Sequence, residues 1–228
     1  MVRRLGTAPR VTGARRAAIA SGFLLAAPFL VPALAPLGWI AFVPLLVVLE
    51  ACLETGGTLR AIFGLGFLAG LACYLTGAYW LVLLSDVAIT VPWLKYPGWL
   101  LCGAYLALYP AAAATLASWV TRRSRVSLAV TFPCAWLVLE EVRGSGELGF
   151  PWFQPGYGQG ALLPVVQLAS LGSVTLVTAW VLAVNVLVWR AWRPRSAGAR
   201  LRAALGAALA LAFPFAWGNA ALRAAQKV

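Results

Sequence analysis

One short segment of the chain brings together the residue types that can take part in chemistry. Between Leu139 and Gln159 the sequence reads LEEVRGSGELGFPWFQPGYGQ, in which acids, an arginine, aromatic residues and glycines interrupt apolar sequence. Glu140 and Arg143 are three residues apart, so on a helix they share a face and can form an ion pair. Such a pair either fixes the end of the helix or orients a polar head group.

The second half of this segment has the composition of a shaped loop. Glycines together with Pro151 and Pro155 exclude a helix after Gly144 and let the backbone approach a partner closely. Gln154 and Gln159 supply neutral hydrogen-bonding groups. Several aromatic residues would be unfavourable in water, so we expect the loop on a membrane surface or under another domain: Phe150, Trp152, Phe153 and Tyr157. An ordinary re-entrant connection is the alternative.

Other kinds of chemistry find little support in the sequence. The chain has no histidine, and its four cysteines lie in or beside apolar stretches without a CxxC spacing. It also lacks a glycine-rich phosphate loop and a dinucleotide fingerprint. The sequence therefore predicts no metal and no cofactor. The net charge of +12 is spread over short loops, which favours anionic membrane lipid as a partner and argues against nucleic acid.

Composition identifies the elements that must position the segment. Hydrophobic residues make up 62% of the chain, charged residues 11%, and the mean hydropathy is +0.87, values typical of an integral membrane protein. A membrane span needs about 20 apolar residues. We therefore predict an all-α bundle of about seven transmembrane helices, at residues 17–34, 35–49, 61–84, 98–120, 127–142, 162–189 and 201–217.

The distribution of basic residues predicts the orientation of this bundle. With a cytoplasmic N-terminus, fourteen of the eighteen basic residues face the cytoplasm, as the positive-inside rule requires. The C-terminus and the loop are then extracytoplasmic. The predicted organisation is a basic cytoplasmic arm at 1–16, a transmembrane domain at 17–217 with its extracytoplasmic loop at 144–161, and a tail at 218–228.

The order of residues in the segment resembles a known family. Trp136, the Glu140-x-x-Arg143-Gly144 step and the Gly149-Phe150-Pro151-Trp152 step, with Gln154, Gly156-Tyr157 and Gln159, are similar to the apolipoprotein N-acyltransferases of bacterial inner membranes. Weaker similarities lie at 36–39, at Gly77 and Trp80, and at 104–109. The chain departs from the family's pattern at Gly158, commonly serine, and at 145–147, where residues are usually bulkier and more apolar.

The resemblance implies a function at the surface of the inner membrane. Members of the family transfer an acyl chain from a phospholipid, through a catalytic cysteine, to the amino group of a diacylglyceryl-cysteine that begins an apolipoprotein. Their Glu-Lys-Cys triad lies in a carbon-nitrogen hydrolase domain after the seventh span. We expect that domain to begin near Val228, so no catalytic residue is assigned in this chain. The residues expected to contact substrate or that domain are Trp80, Glu140, Arg143, Gly149, Phe150, Pro151, Trp152, Gln154, Tyr157 and Gln159.

Two hypotheses from different classes follow. In the first, the chain is the membrane domain of a lipoprotein N-acyltransferase, which is either a split enzyme that needs a separately supplied hydrolase subunit or a truncated gene product. It admits phospholipid and lipoprotein substrates, with Arg143 attracting phosphate. In the second, it is a non-catalytic membrane protein that binds lipid or lipoprotein on the same scaffold. A small transporter is disfavoured because the polar groups gather near one surface and no inverted repeat is evident.

Overall fold

The computed structural model describes residues 11–85, 91–193 and 196–226, and every regular element in these ranges is helical. The helices are α1 (Val11–Leu30), α2 (Val43–Glu54), α3 (Leu59–Gly77), α4 (Lys95–Arg123), α5 (Leu128–Gly144), α6 (Leu163–Val166), α7 (Ala169–Trp192) and α8 (Ala197–Ala225). Short 3-10 helices lie at Pro32–Trp39, Tyr79–Leu83, Pro92–Leu94 and Tyr157–Gln159.

Five helical stretches of the described chain are long and apolar enough to cross a membrane. They are Pro32–Glu54, Leu59–Leu83, Pro92–Arg123, Ala169–Trp192 and Ala197–Ala225. The predicted spans at 17–34 and 127–142 correspond to α1 and α5, which lie outside this set; α5 has only 17 residues. The all-helical membrane architecture is confirmed, whereas the count of seven spans stays a prediction.

Two predicted spans have a different internal structure from that expected. The span at 35–49 begins as the 3-10 helix Pro32–Trp39 and becomes α-helical only at Val43. The span at 162–189 is not one long tilted helix: it is divided into α6 and α7, and Gly172 and Ser173 leave helical backbone geometry inside α7. At the ends of the chain, α1 includes residues 11–16 and α8 continues through 218–225.

Small residues allow the long helices to pack closely. A Cβ atom added to Gly66 would lie 2.8 Å from the Cα of Ala111, and one added to Gly70 would lie 2.8 Å from the Cα of Ala107. The backbones of α3 and α4 therefore nearly touch, as is common where helices associate inside a lipid bilayer. Large apolar side chains such as Leu101 and Leu209 point outward instead, where lipid rather than water would surround them.

The charged residues separate to the two ends of the bundle. The loop after α5 lies at one end, beside the end of α3. Most of the described arginines lie at the opposite end of the bundle, near the starts of α1, α3, α5 and α8 and the ends of α4 and α7. They are Arg15, Arg16, Arg60, Arg122, Arg123, Arg125, Arg190, Arg193, Arg200 and Arg202. Arg3, Arg4, Arg10, Arg195 and Lys227, which also entered the prediction of orientation, lie outside the described residues.

Candidate functional site

Arg143 folds the loop back against the end of its own helix. The residue lies in the last turn of α5, where its side chain is only 2% exposed. Its Nη1 donates hydrogen bonds to the carbonyl oxygens of Phe150 and Trp152. The backbone N–H of Phe150 donates in turn to the carbonyl of Arg143 at 2.8 Å. One buried guanidinium therefore holds two backbone carbonyls of the loop.

Glu140 supplies the charge that balances this buried arginine. Its Oε1 lies 3.8 Å from Nη2 of Arg143 and accepts a hydrogen bond of 3.4 Å from the indole N–H of Trp136. The ring of Tyr74 from α3 lies under the guanidinium, 5.7 Å from its centre. The predicted pairing of Glu140 with Arg143 on one helix face is confirmed. Because both groups are buried, the pair serves to fix the helix end and the loop.

The buried position of Arg143 has a consequence for lipid binding. Its guanidinium is surrounded by loop carbonyls, Glu140 and an aromatic ring. The expectation that it attracts a phosphate group stays a prediction, and a phosphate that reached the guanidinium would have to displace these contacts. Glu147, one of the residues at 145–147 that depart from the family's pattern, is exposed, and Arg143 pairs with Glu140. The neighbouring Glu141 accepts a hydrogen bond from Thr175 of α7 at 2.6 Å.

Phe153 anchors the middle of the loop in the bundle. Its ring meets Phe29 of α1 edge-on at 5.1 Å and Tyr74 at 6.1 Å between centroids. Its backbone has φ of 63°, a left-handed conformation that a bulky residue adopts only when its surroundings enforce it. Gly77 at the end of α3 makes room for the ring, since a Cβ there would lie 2.8 Å from Cε1 of Phe153.

The substitution Gly77→Ala is expected to lower the free energy of unfolding by about 1–3 kcal/mol, because the added methyl group would displace the ring of Phe153. The midpoint of thermal unfolding in detergent measures this loss. Gly64→Ala in the same helix is the matched control, since a Cβ at Gly64 would meet nothing within 4 Å. An equal fall of the midpoint in both variants would show that alanine destabilises α3 at either position and that the contact with Phe153 is unimportant.

Gln159 closes the far end of the loop. Its side chain is fully buried, accepts a 2.8 Å hydrogen bond from the indole N–H of Trp39 and donates one of 3.2 Å to the carbonyl of Ala35. A Cβ on Gly38 would lie 2.8 Å from Nε2 of Gln159, so the 3-10 helix approaches the loop through glycine. The loop thereby satisfies a backbone carbonyl and the indole N–H of the Pro32–Trp39 segment.

Two glycines let the loop approach the helices beside it. The N–H of Gly156 donates to Oγ1 of Thr178 in α7 at 3.1 Å, and a Cβ at Gly156 would lie 2.7 Å from the carbonyl of Val174. Gly158 packs on α1, where a Cβ would lie 3.2 Å from that of Pro28. The departure from the family pattern at Gly158 therefore coincides with a tight contact between loop and helix.

The side of the loop that faces away from the bundle is aromatic. Trp152 is 52% exposed, Tyr157 is 54% exposed, and Pro151 between loop turns is exposed as well. The half-buried Trp80 lies beside Trp152 with ring centroids 5.4 Å apart, and Phe150 lies 5.5 Å from the same indole. We call Trp80, Phe150, Pro151, Trp152 and Tyr157 the aromatic surface.

The predicted contact residues thus fall into two groups. The aromatic surface is available to a substrate or a neighbouring domain, whereas Glu140, Arg143, Gln154 and Gln159 are buried. Glu140, Arg143 and Gln159 hold the loop through side-chain contacts, and the side-chain oxygen of Gln154 has no hydrogen-bond partner among the described residues. Gly149 is half-buried and shapes the loop in another way, because a Cβ there would lie 2.9 Å from the carbonyl oxygens of Gly144 and Gly146. Direct contact of either group with a substrate stays a prediction.

Three polar residues that support the site were missed in the sequence. Asn185 of α7 donates to the carbonyls of Gly38 and Val181 and accepts from the N–H of Phe42. Ser21 of α1 donates to the carbonyl of Ala41 at 2.6 Å, and Thr178 holds Gly156. Asn185 could have been found from the sequence, because it is an amide in the middle of an apolar span, where such a group needs hydrogen-bond partners.

Comparison with known proteins agrees with this architecture. A sequence profile of the family described as the apolipoprotein N-acyltransferase N-terminal domain matches residues 21–187, more than half of the chain. The chain is similar to the apolipoprotein N-acyltransferases of Geobacter metallireducens, with 38% identity over 174 residues, and of Methylococcus capsulatus, with 32% identity over 216 residues.

These alignments cover 76% and 85% of this chain, but 32% and 38% of the two relatives. The chain therefore spans about a third of the length of the curated relatives that it matches. The profile match includes the whole loop and both residues of the Glu140 and Arg143 pair. The helical membrane bundle, the clamped loop and the profile match together show that this chain belongs to the family of the apolipoprotein N-acyltransferase N-terminal domain.

Proposed function

We propose that this chain is the membrane domain of a bacterial lipoprotein N-acyltransferase and acts in the cytoplasmic membrane. In this proposal it holds an acyl-donor phospholipid and the diacylglyceryl-cysteine of an apolipoprotein, while a carbon-nitrogen hydrolase domain performs the transfer. The proposal is supported by family membership. The observation that carries it is the aromatic surface, which a buried ion pair holds at one end of the bundle.

The two groups of site residues would have different roles: the aromatic residues would contact partners, and the buried pair would position the loop. Tryptophan and tyrosine prefer the interface between membrane and water, because an apolar ring and a polar N–H or O–H can each meet a suitable environment there. Trp80, Trp152 and Tyr157 would therefore contact the substrates or the hydrolase domain. Glu140 and Arg143 would act as positioning residues, since they reach these partners only through the loop that they hold.

We also propose that the loop faces the extracytoplasmic side and that α1 and α5 cross the membrane with the five apolar stretches, giving seven spans. The described arginines near the helix ends opposite the loop support this orientation under the positive-inside rule. Labelling of cysteines introduced singly at Tyr157 and at Arg200 with a membrane-impermeant maleimide would test it. Reaction of intact cells at Arg200→Cys and not at Tyr157→Cys would contradict the orientation.

A chimera tests the function directly. The chain would replace the N-terminal domain of the Geobacter metallireducens relative, whose own downstream sequence would follow it in one arm and be coexpressed separately in another. The mass of lipoprotein N-terminal peptides distinguishes two acyl chains from three in cells depleted of their own enzyme. Triacylation in the fused arm supports the membrane-domain function, and triacylation in the separate arm supports a hydrolase subunit. Lipoprotein binding without transfer in both arms would favour the non-catalytic alternative.

The substitution Trp152→Ala is expected to reduce triacylation by the active chimera about tenfold, because a central indole is removed from an exposed contact surface. The unfolding midpoint should fall only slightly, since half of the ring is exposed. Trp192→Ala is the control, because Trp192 is also exposed but lies at the other end of the bundle. Equal activity of the two variants would remove Trp152 from the proposed contact surface.

A further inference from the structure

A cavity of about 850 Å³ opens between α1, α2 and α3, at the end of the bundle opposite the aromatic surface. It lies between the start of α1, the end of α2 and the first half of α3. None of the residues that hold the loop lines it. Its volume falls within the range of roughly 300–1,000 Å³ that is usual for small-molecule sites in proteins.

Two arginines without partners in the described chain line this cavity. Arg15 comes from α1 and Arg60 from the first turn of α3, and both are exposed. Among the described residues, neither forms an ion pair or a side-chain hydrogen bond. Two other arginines at this end are engaged: Arg122 donates to the carbonyl of Gly57, and Arg193 pairs with two glutamates of α2.

The rest of the wall is mainly apolar. Ile19, Leu65, Phe67 and Leu68 line it, and the backbone at Gly64 faces open space, since a Cβ there would meet nothing within 4 Å. Two cations beside an apolar wall match a ligand that carries a negative head group and a hydrocarbon chain. A free phosphate ion would use the arginines but gain nothing from this wall.

We propose that this cavity binds one anionic phospholipid, with its phosphate on Arg15 and Arg60 and part of an acyl chain against Leu65 and Phe67. Arginine suits this ligand because its planar guanidinium can donate two parallel hydrogen bonds to one phosphate. A zwitterionic lipid binds less well, because its ammonium group lies near the same two cations. The site is separate from the proposed acyl-transfer surface and does not depend on it.

Native mass spectrometry of the purified chain in detergent tests this site with an equimolar mixture of phosphatidylglycerol and phosphatidylcholine. We expect preferential retention of one phosphatidylglycerol molecule. The double variant Arg15→Gln/Arg60→Gln should weaken its binding about tenfold to thirtyfold, on the basis of about 1 kcal/mol for each basic residue near anionic lipid. Free inorganic phosphate in excess should not displace the lipid.

Two further variants separate the cavity from general attraction to a basic surface. Arg123→Gln/Arg125→Gln removes two exposed charges at the same end outside the cavity lining and should change binding less than twofold. Gly64→Phe fills the apolar part without a change of charge and should reduce phosphatidylglycerol binding at least fivefold. Equal losses in both arginine double variants, or full binding by a folded Gly64→Phe variant, would overturn the proposal. Unfolding midpoints identify any variant that fails to fold.

Discussion

Replacing Arg143 by methionine is expected to destabilise the protein by about 3–5 kcal/mol, the usual consequence of removing one partner of a buried ion pair. Methionine preserves much of the side-chain volume, so the loss comes from the polar interactions. Glu140 would keep a buried carboxylate without its cation, and the carbonyls of Phe150 and Trp152 would lose a shared donor. In a chain of this size, the unfolding midpoint should fall by roughly 6–20 °C.

Two companion variants separate the charge from the hydrogen bonds of Arg143. Arg143→Lys keeps a cation but lacks the planar guanidinium, in which Nη1 reaches two carbonyls while Nη2 faces Glu140, so its stability should be intermediate. Glu140→Gln/Arg143→Met removes both charges and should recover part of the loss seen with Arg143→Met alone. Arg123→Met, at an exposed position, is the control and should shift the midpoint little. If Arg143→Met behaved like this control, Arg143 would not be the residue that holds the loop.

The substitution Asn185→Leu is expected to cost about 3–4 kcal/mol, although leucine is close to asparagine in size and is more apolar. The amide of Asn185 satisfies the carbonyl of Gly38 at 2.8 Å and the N–H of Phe42, also at 2.8 Å. Both groups belong to the irregular backbone between α1 and α2, which has no helical partners for them. Each would be left buried without a partner, at about 1–3 kcal/mol apiece.

Asn219 in α8 offers a matched control for this prediction. It is exposed, and Asn219→Leu should be neutral or slightly stabilising if that surface of α8 faces detergent or lipid. Thermal unfolding in detergent, followed by the fluorescence of the native tryptophans, compares the two variants. Stability of Asn185→Leu equal to that of the wild type would mean that water or another group replaces the amide, and that Asn185 does not support the 3-10 helix.

The pairing within α5 could be predicted from sequence because it depends only on local geometry. A spacing of three residues places Glu140 and Arg143 on one face of any helix, whatever surrounds it. The exclusion of a helix from most of the following loop depends equally on local properties, since proline and glycine disfavour a helix by their own backbone preferences. These predictions required only that α5 form, and its apolar sequence already indicated that.

The role of Arg143 could not be predicted in the same way. Whether an arginine at a helix end meets lipid phosphate or protein carbonyls depends on where the following ten residues turn. That path is set by contacts between distant parts of the chain, such as Phe153 with Phe29 and Gln159 with Trp39. The local sequence around Arg143 would therefore be the same whether its side chain were exposed to lipid or buried to hold the loop.

The internal structure of the predicted span at 35–49 could not be predicted for a related reason. Hydropathy records that residues 32–54 are apolar, but it does not record where backbone hydrogen bonds are made. The stretch from Pro32 to Trp39 is 3-10 helical, and Ser21, Gln159 and Asn185 bond to backbone groups in and just after it. Irregular backbone in a membrane requires such partners, and here they come from three other parts of the chain.

The sequence by itself determined that this is a helical membrane protein, which stretches of it are apolar, and which family its loop motif resembles. These properties follow from composition, local spacing and the order of residues, and they do not depend on contacts between distant segments. Only the tertiary structure decided that Trp152 and Tyr157 face outward while Arg143 and Gln159 are buried. The physical reason is that burial and hydrogen-bond satisfaction are properties of packed neighbours, which in this loop come from α1, α3 and α7.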